Sequence, residues 1–198
     1  MNYLAHLALS YPNEDLVVGN FIGDHVRNKD LPSYSAAIQQ GVEMHRSIDV
    51  FTDNHHISKE LRKLLFAKHR HVSRVLLDVF YDHFLTVHFS QFHQTDCTDF
   101  ISQVQPILLK YNAQLPHSAQ RYLTGMVSQN WLEKYASTDG IHEILSKMAR
   151  RSGLDNIATG TDSLLLHYNE LDDYFLAFYP DLKMHCIPFK NSTHKAVG

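Results

Sequence analysis

The sequence predicts an all-α protein built as one helical domain. Helical periodicity dominates the chain, and no alternating apolar–polar run is bounded by Gly-rich turns. Gly and Pro are sparse, at 8 and 6 of 198 residues, which disfavours a turn-rich β fold or disorder. Apolar residues make up 44%, enough for a sizeable core.

The elements follow from their stop and start signals. A short apolar helix is expected over residues 3–10, closed by Tyr11-Pro12-Asn13. Asn13 is a capping residue for a second helix through Leu16, Gly19, Ile22 and Val26. Leu31-Pro32-Ser33 opens a third, with Pro32 in the first turn, running to about Asp53. Ser58 caps a fourth, and a fifth is expected over residues 72–92. Thr98 or Asp99 starts a sixth, kinked at Pro106. Pro116 starts a seventh that includes Trp131, and Asp139 an eighth that ends near Gly153. Residues 153–160 read as the main loop. The last helix is expected over residues 162–179, before Pro180, with a polar, frayed tail at 189–198.

Composition excludes several classes. A net charge of −3 is too balanced for a bulk nucleic-acid binder. No run approaches the roughly 18 apolar residues of a membrane span. The segment MNYLAHLALSYPNEDL lacks a basic n-region and a long apolar run, so no signal peptide is expected. Cys97 and Cys186 cannot form a disulfide framework and read as reduced thiols of a cytoplasmic protein. No Gly-x-Ser-x-Gly elbow or Gly-rich phosphate loop is present. The unusual feature is 15 histidines with no tag-like run.

The chemistry-bearing pattern begins at His45, Asp49 and Asp53, at i, i+4 and i+8. Each step of four rotates only about 40° around a helix, so the three share a stripe, with Asp53 drifting furthest. Such a stripe can ligate a cation; the plain alternative is a solvated polar face. Asp78 and Asp82 repeat the i, i+4 spacing inside the apolar VLLDVFYDHFL, and His83 follows directly. Asp78, amid Leu76, Leu77, Val79 and Phe80, is expected to be partly buried and to need a cation or metal, or a salt bridge to Arg46 or Arg74. His6 lies in the apolar YLAHLAL, and Asp24 follows the apolar run of GNFIGDHVR. Gly19 and Gly23 allow a close helix approach there, and Asn20 shares that face. Mixed imidazole and carboxylate donors suit Mn²⁺, Fe²⁺ or Co²⁺, with Mg²⁺ and Zn²⁺ as further options. Arg46, beside His45, can hold a phosphate oxygen or pair with a carboxylate. The segment SKELRKLLFAKHRHVSR gathers Lys59, Arg62, Lys63, Lys68, Arg70 and Arg74, a patch that can steer an acidic partner or simply meet solvent. Trp131 is either core or a wall of the site.

MNYLAHLALS, GNFIGDHVR, MHRSIDVFTDN and LDVFYDHFL, in this order and spacing, resemble the acyl carrier protein phosphodiesterase family. The resemblance resumes at NWLEKYAS, GIHEILSKMARR and the Tyr-rich helix ending AFYP, and is loose over residues 94–115. It implies an all-helical, HD-phosphohydrolase-like fold. It implies hydrolysis of the phosphodiester joining 4′-phosphopantetheine to a serine of acidic acyl carrier protein, with Mn²⁺ the favoured cofactor. On matching positions it makes Asp24, His45, Asp49, Asp53, Asp78 and Asp82, followed by His6 and His83, ligands or catalytic acids. The HD class is named for a His-Asp pair, yet here the order is reversed in Asp82-His83 and no His-Asp dipeptide occurs. Two rival readings are a phosphohydrolase of the same fold acting on a nucleotide or small phosphoester, and a non-enzymatic helical binding protein.

Overall fold

The computed structural model describes residues 3–192, and among these the regular structure is helical throughout, with no strand. Twelve α-helices are described: α1 (Tyr3–Ser10), α2 (Glu14–Ile22), α3 (Ala36–Asn54), α4 (His56–His69), α5 (Ser73–Val87), α6 (Phe89–Phe92), α7 (Cys97–Lys110), α8 (His117–Ser128), α9 (Trp131–Lys134), α10 (Thr138–Ser152), α11 (Gly160–Leu166) and α12 (Tyr168–Ser192). None is long and apolar enough to cross a membrane.

The core forms where α1, α2, α3, α5 and α12 meet. Leu4, Leu7, Phe21, Met44, Ile48, Phe80, Tyr81, Phe84, Phe175, Phe178 and Tyr179 are all buried there. α2 lies along α3 because Gly19 and Gly41 bring the backbones together. A Cβ on Gly19 would stand 2.1 Å from the Ile38 carbonyl oxygen, and one on Gly41 2.7 Å from that of Leu16. This crossing fixes the spacing between α3, which carries His45 and Asp49, and α2, which carries Asn20.

Several boundaries differ from the sequence expectation, each for a local reason. Asn13 caps α2 as expected, its side chain accepting from Leu16 N at 3.0 Å. The helix stops at Ile22, four residues short, because the Asn20 carbonyl also accepts from His45 Nδ1 at 2.8 Å. Asp24 consequently lies in a turn. Leu31–Ser33 is a separate 3₁₀ turn, and Ser35 caps α3. α4 starts ahead of Ser58, which is buried and bonded to the Tyr81 hydroxyl at 3.0 Å.

The expected fifth helix breaks at His88, whose ring is held by Asp172 at 2.6 Å, leaving α5 and α6. Asp96 caps α7, which carries Pro106 within it, and Ser137 caps α10. Asn130 adopts a left-handed conformation (φ 50°) and separates α9, with Trp131, from α8. The last helix is α12, and it continues through Pro180 and Pro188 to Ser192. A proline forfeits one backbone bond, but Leu171, Phe175, Phe178, Leu182 and Cys186 keep one face of α12 in the core. Residues 189–192 of the expected frayed tail are therefore helical; 193–198 lie outside the described residues.

Candidate metal centre

Three elements bring the site together. α1 carries His6, α3 carries His45 and Asp49, and the turn after α2 carries Asp24. Asn20 orients both imidazoles. His6 Nδ1–H donates to the Asn20 side-chain oxygen at 2.7 Å, and His45 Nδ1–H donates to its backbone carbonyl at 2.8 Å. Asn20 Nδ2 donates in turn to Ser10 Oγ at 2.6 Å, and Ser10 Oγ to the His6 carbonyl at 2.8 Å. Gly23 leaves room for the His45 ring, since a Cβ there would lie 2.2 Å from its Cγ.

With both Nδ1 atoms engaged, both Nε2 lone pairs face inward. The rings stack at 4.1 Å, and both Nε2 atoms are buried without a sound hydrogen bond. Carboxylates face them nonetheless. Asp49 Oδ1 is 3.3 Å from His6 Nε2, Asp49 Oδ2 is 3.4 Å from His45 Nε2, and Asp24 Oδ1 is 3.2 Å from His45 Nε2. One ligand atom each from His6, His45 and Asp49 lies within 4.8 Å of the others.

Lone pairs and carboxylates crowded together demand positive charge, either a proton or a cation. Burial, aided by the neighbouring His45 ring, holds His6 below the ordinary imidazole range and disfavours the proton. Asp24 is held below the usual carboxylate range chiefly by its contact with His45. Burial works against charge on Asp49, and its contact with His6 outweighs that only where positive charge sits at the shared Nε2 position, which burial denies to a proton and a cation can supply. The donor set of two imidazoles and a carboxylate, with Asp24 at the rim, fits a divalent transition metal. Asp24 is 72% exposed and Asp49 30%, so the site opens to solvent on the carboxylate side.

Other sequence candidates take different places. Asp53, one turn beyond Asp49, turns away to Arg62 Nη1 at 3.1 Å and Arg74 Nη2 at 2.5 Å. Asp82 is fully buried and accepts from the backbone N–H groups of Leu4 and Ala5 at 2.9 and 3.3 Å. It thus anchors the start of α1, and burial pushes its carboxyl up to about 7. His83 donates from Nδ1 to the Tyr135 carbonyl at 2.7 Å, and its Nε2 meets the Tyr168 hydroxyl at 3.0 Å. Asp78 is half-buried on α5, where its charge acts on Tyr81, Asp82 and Tyr135, and it does not join the three-residue group. Arg46 donates to the Val26 carbonyl at 3.3 Å and so braces the chain just past Asp24. Both cysteines are buried thiols, pushed up by burial to about 11 at Cys97 and about 12 at Cys186, far from nucleophilic.

The basic segment forms a cleft of about 610 Å³ lined by Lys59, Arg62, Lys63 and Arg70. Its charge is partly compensated: Lys63 pairs with Glu60 at 2.8 Å, and Arg62 with Asp53. Lys68 lies 3.6 Å from Asp162, and Arg74 is occupied by Asp53. Sequence reasoning did not find the part played by Ser10 or by the aromatic residues beside Asp24. Tyr3 Oη meets His25 Nε2 at 3.2 Å, and the Tyr3 ring packs on Tyr122 at 4.9 Å. The tyrosines carry no spacing signal that links residue 3 to residue 122.

Known proteins resemble this chain over most of its length. A family model described as Acyl carrier protein phosphodiesterase matches residues 1–182. A Yersinia pestis protein named acyl carrier protein phosphodiesterase is 38% identical over 188 residues, covering 92% of this chain and 95% of the relative. A Klebsiella pneumoniae (strain 342) protein of the same name is 36% identical, with 92% and 95% covered. One from Escherichia coli O139:H28 is 33% identical over the whole of both chains. No solved structure matches this chain. The match across nearly the whole chain, from α1 to α12, shows that it belongs to the acyl carrier protein phosphodiesterase family.

Proposed function

We propose that this protein hydrolyses the phosphodiester joining 4′-phosphopantetheine to a serine of holo acyl carrier protein. Water adds to phosphorus, the bond from phosphorus to the serine oxygen breaks, and that oxygen takes up the proton released by the water as apo carrier protein and 4′-phosphopantetheine leave. The names of its relatives support the substrate. The observation that carries the chemistry is the pair of buried, unpartnered Nε2 atoms facing Asp49 and Asp24.

His6, His45 and Asp49 would hold a divalent cation, for which the donors favour Mn²⁺, with Mg²⁺, Fe²⁺ or Co²⁺ as substitutes. Such an ion supplies Lewis acidity and neutralises phosphate charge. Asp24, ionised and exposed at the rim, accepts the proton of the attacking water at Oδ. Asn20 and Gly23 keep the imidazoles aimed, and Arg46 fixes the turn that carries Asp24. The acidic carrier protein docks at the cleft of Lys59, Lys63 and Arg70, which Asp53 ties to the ligand helix through Arg62. A cytoplasmic setting belongs to the same reading.

The test is direct. Holo carrier protein incubated with the protein and Mn²⁺ should lose one 4′-phosphopantetheine by mass spectrometry. Asp49→Asn should abolish that loss while circular dichroism stays helical. A carrier mass that stays unchanged with the wild-type protein under every one of the four metals overturns the proposal.

A further inference from the structure

Two routes lead away from the ligand set. Along α3, Asp49 leads to Asp53 and the basic cleft. On the other side Asp24 leads through His25 to Tyr3, whose hydroxyl is 3.2 Å from His25 Nε2. His25 Nδ1 is held by Ser118 Oγ at 3.0 Å, which fixes this bridge to α8. Beyond it is a slot of about 140 Å³ walled by Tyr3, Tyr122, Trp131 and Tyr135, with Lys147 and Arg151 at its edge. Its rings are set against one another: Tyr3 on Tyr122 at 4.9 Å, and Tyr122 edge-on to Trp131 at 5.1 Å. The floor is fixed as well, because the Tyr135 carbonyl accepts from His83.

Resting on the phosphodiesterase reading, we propose that this slot binds the end of the pantetheine arm next to its phosphate. That end carries a quaternary carbon with two methyl groups, then a hydroxyl and an amide. The volume of about 140 Å³ suits this end rather than the full arm, since it is several times the roughly 30 Å³ of one water. Aromatic walls match the dimethyl carbon, and Arg151 matches the amide carbonyl as a donor. Lys147 is paired with Glu143 at 2.7 Å, whereas Arg151 has no ion pair among the described residues. Nearness to the centre has separate support. Burial raises the phenols of Tyr3 and Tyr122, and the Asp24 charge adds to both while Arg151 opposes it.

Calorimetric titration of the full chain in Mn²⁺ buffer tests this, with 4′-phosphopantetheine and inorganic phosphate as probes. The wild-type protein should bind 4′-phosphopantetheine at least about tenfold more tightly than phosphate, and Trp131→Ala should erase most of that gap. Arg151→Gln, on an exposed side chain, should narrow it as well and keeps the test open if the Trp131 variant unfolds. Equal affinity for both probes, or a gap that survives the folded variants, overturns the slot. Failure of the underlying phosphodiesterase reading shows up separately, as wild-type protein that leaves holo carrier protein intact.

Discussion

At the scale of single residues, the site is decided by what occupies each Nδ1. His6 and His45 differ in helix and sequence, yet Asn20 engages both and leaves two Nε2 lone pairs in one buried space. A polar atom buried without a partner costs on the order of 1–3 kcal/mol, and two so close would compound the cost without a cation between them. Asp53, Asp82 and His83 carry the same chemistry in sequence but meet arginines, backbone N–H groups and a carbonyl instead. Partners that orient a metal-binding imidazole commonly contribute 10- to 100-fold in affinity. Asn20→Ala should therefore weaken Mn²⁺ binding by about that factor, measured by equilibrium dialysis, with His6 released and His45 still held by the backbone. Undiminished Mn²⁺ retention in this variant would remove Asn20 from the centre.

Individual helices show which parts of the molecule local sequence can specify. α1 has the expected bounds because its apolar run and the Tyr11-Pro12-Asn13 stop are local signals. The end of α2 was not legible, because it depends on a carbonyl shared with a ring 25 residues away. Prolines stop a helix only where packing permits, and the apolar face of α12 outweighs two of them. The i, i+4 pair His45 and Asp49 was legible as one face. The further drift to Asp53 was enough to turn it toward α4, which spacing alone could not foretell. Asp78 is the acid that the apolar pattern marks as buried and in need of a partner, yet it is half-buried; the fully buried acid is Asp82, whose partner is the start of α1 and exists only once the helices pack. α4 itself offers a test of docking. Lys59→Glu with Lys63→Glu reverses exposed charge at the cleft and leaves the Arg62–Asp53 pair in place. Turnover of holo carrier protein should fall about tenfold at low salt and lose most of its salt dependence. A salt profile parallel to that of the wild-type protein would place the carrier elsewhere.

Across the whole molecule, half-buried His93 and fully buried Asp82 set opposing pH slopes on stability, with the lowered imidazoles of His6, His69 and His83 acting in the same sense as His93. His93 bonds the Tyr179 hydroxyl at 3.0 Å, and burial, reinforced by Lys183 and Lys190, lowers its pKa from 6.5 to about 4. The unfolded chain takes up that proton first, so the contribution of His93 is complete above about pH 6.5 and is lost as pH falls toward 4. Asp82 has the reverse sign. Burial raises it from 3.8 to about 7, so the folded chain holds the proton longer. Its contribution is complete below about pH 4 and is lost as pH rises through 7. Between pH 5 and 7 each amounts to about 2 kcal/mol and the two nearly cancel. Separate variants should expose them in urea unfolding. His93→Gln removes the term that rises with pH, so its stability at pH 7 relative to pH 5 should drop below the wild-type difference. Asp82→Asn keeps an oxygen to accept from α1 but removes the opposing term. Its stability should therefore climb more steeply from pH 5 to 7 than that of the wild-type protein. If both variants shift the slope the same way, the protonation states assigned to the core are wrong, and with them the account of how α1 holds His6 in place.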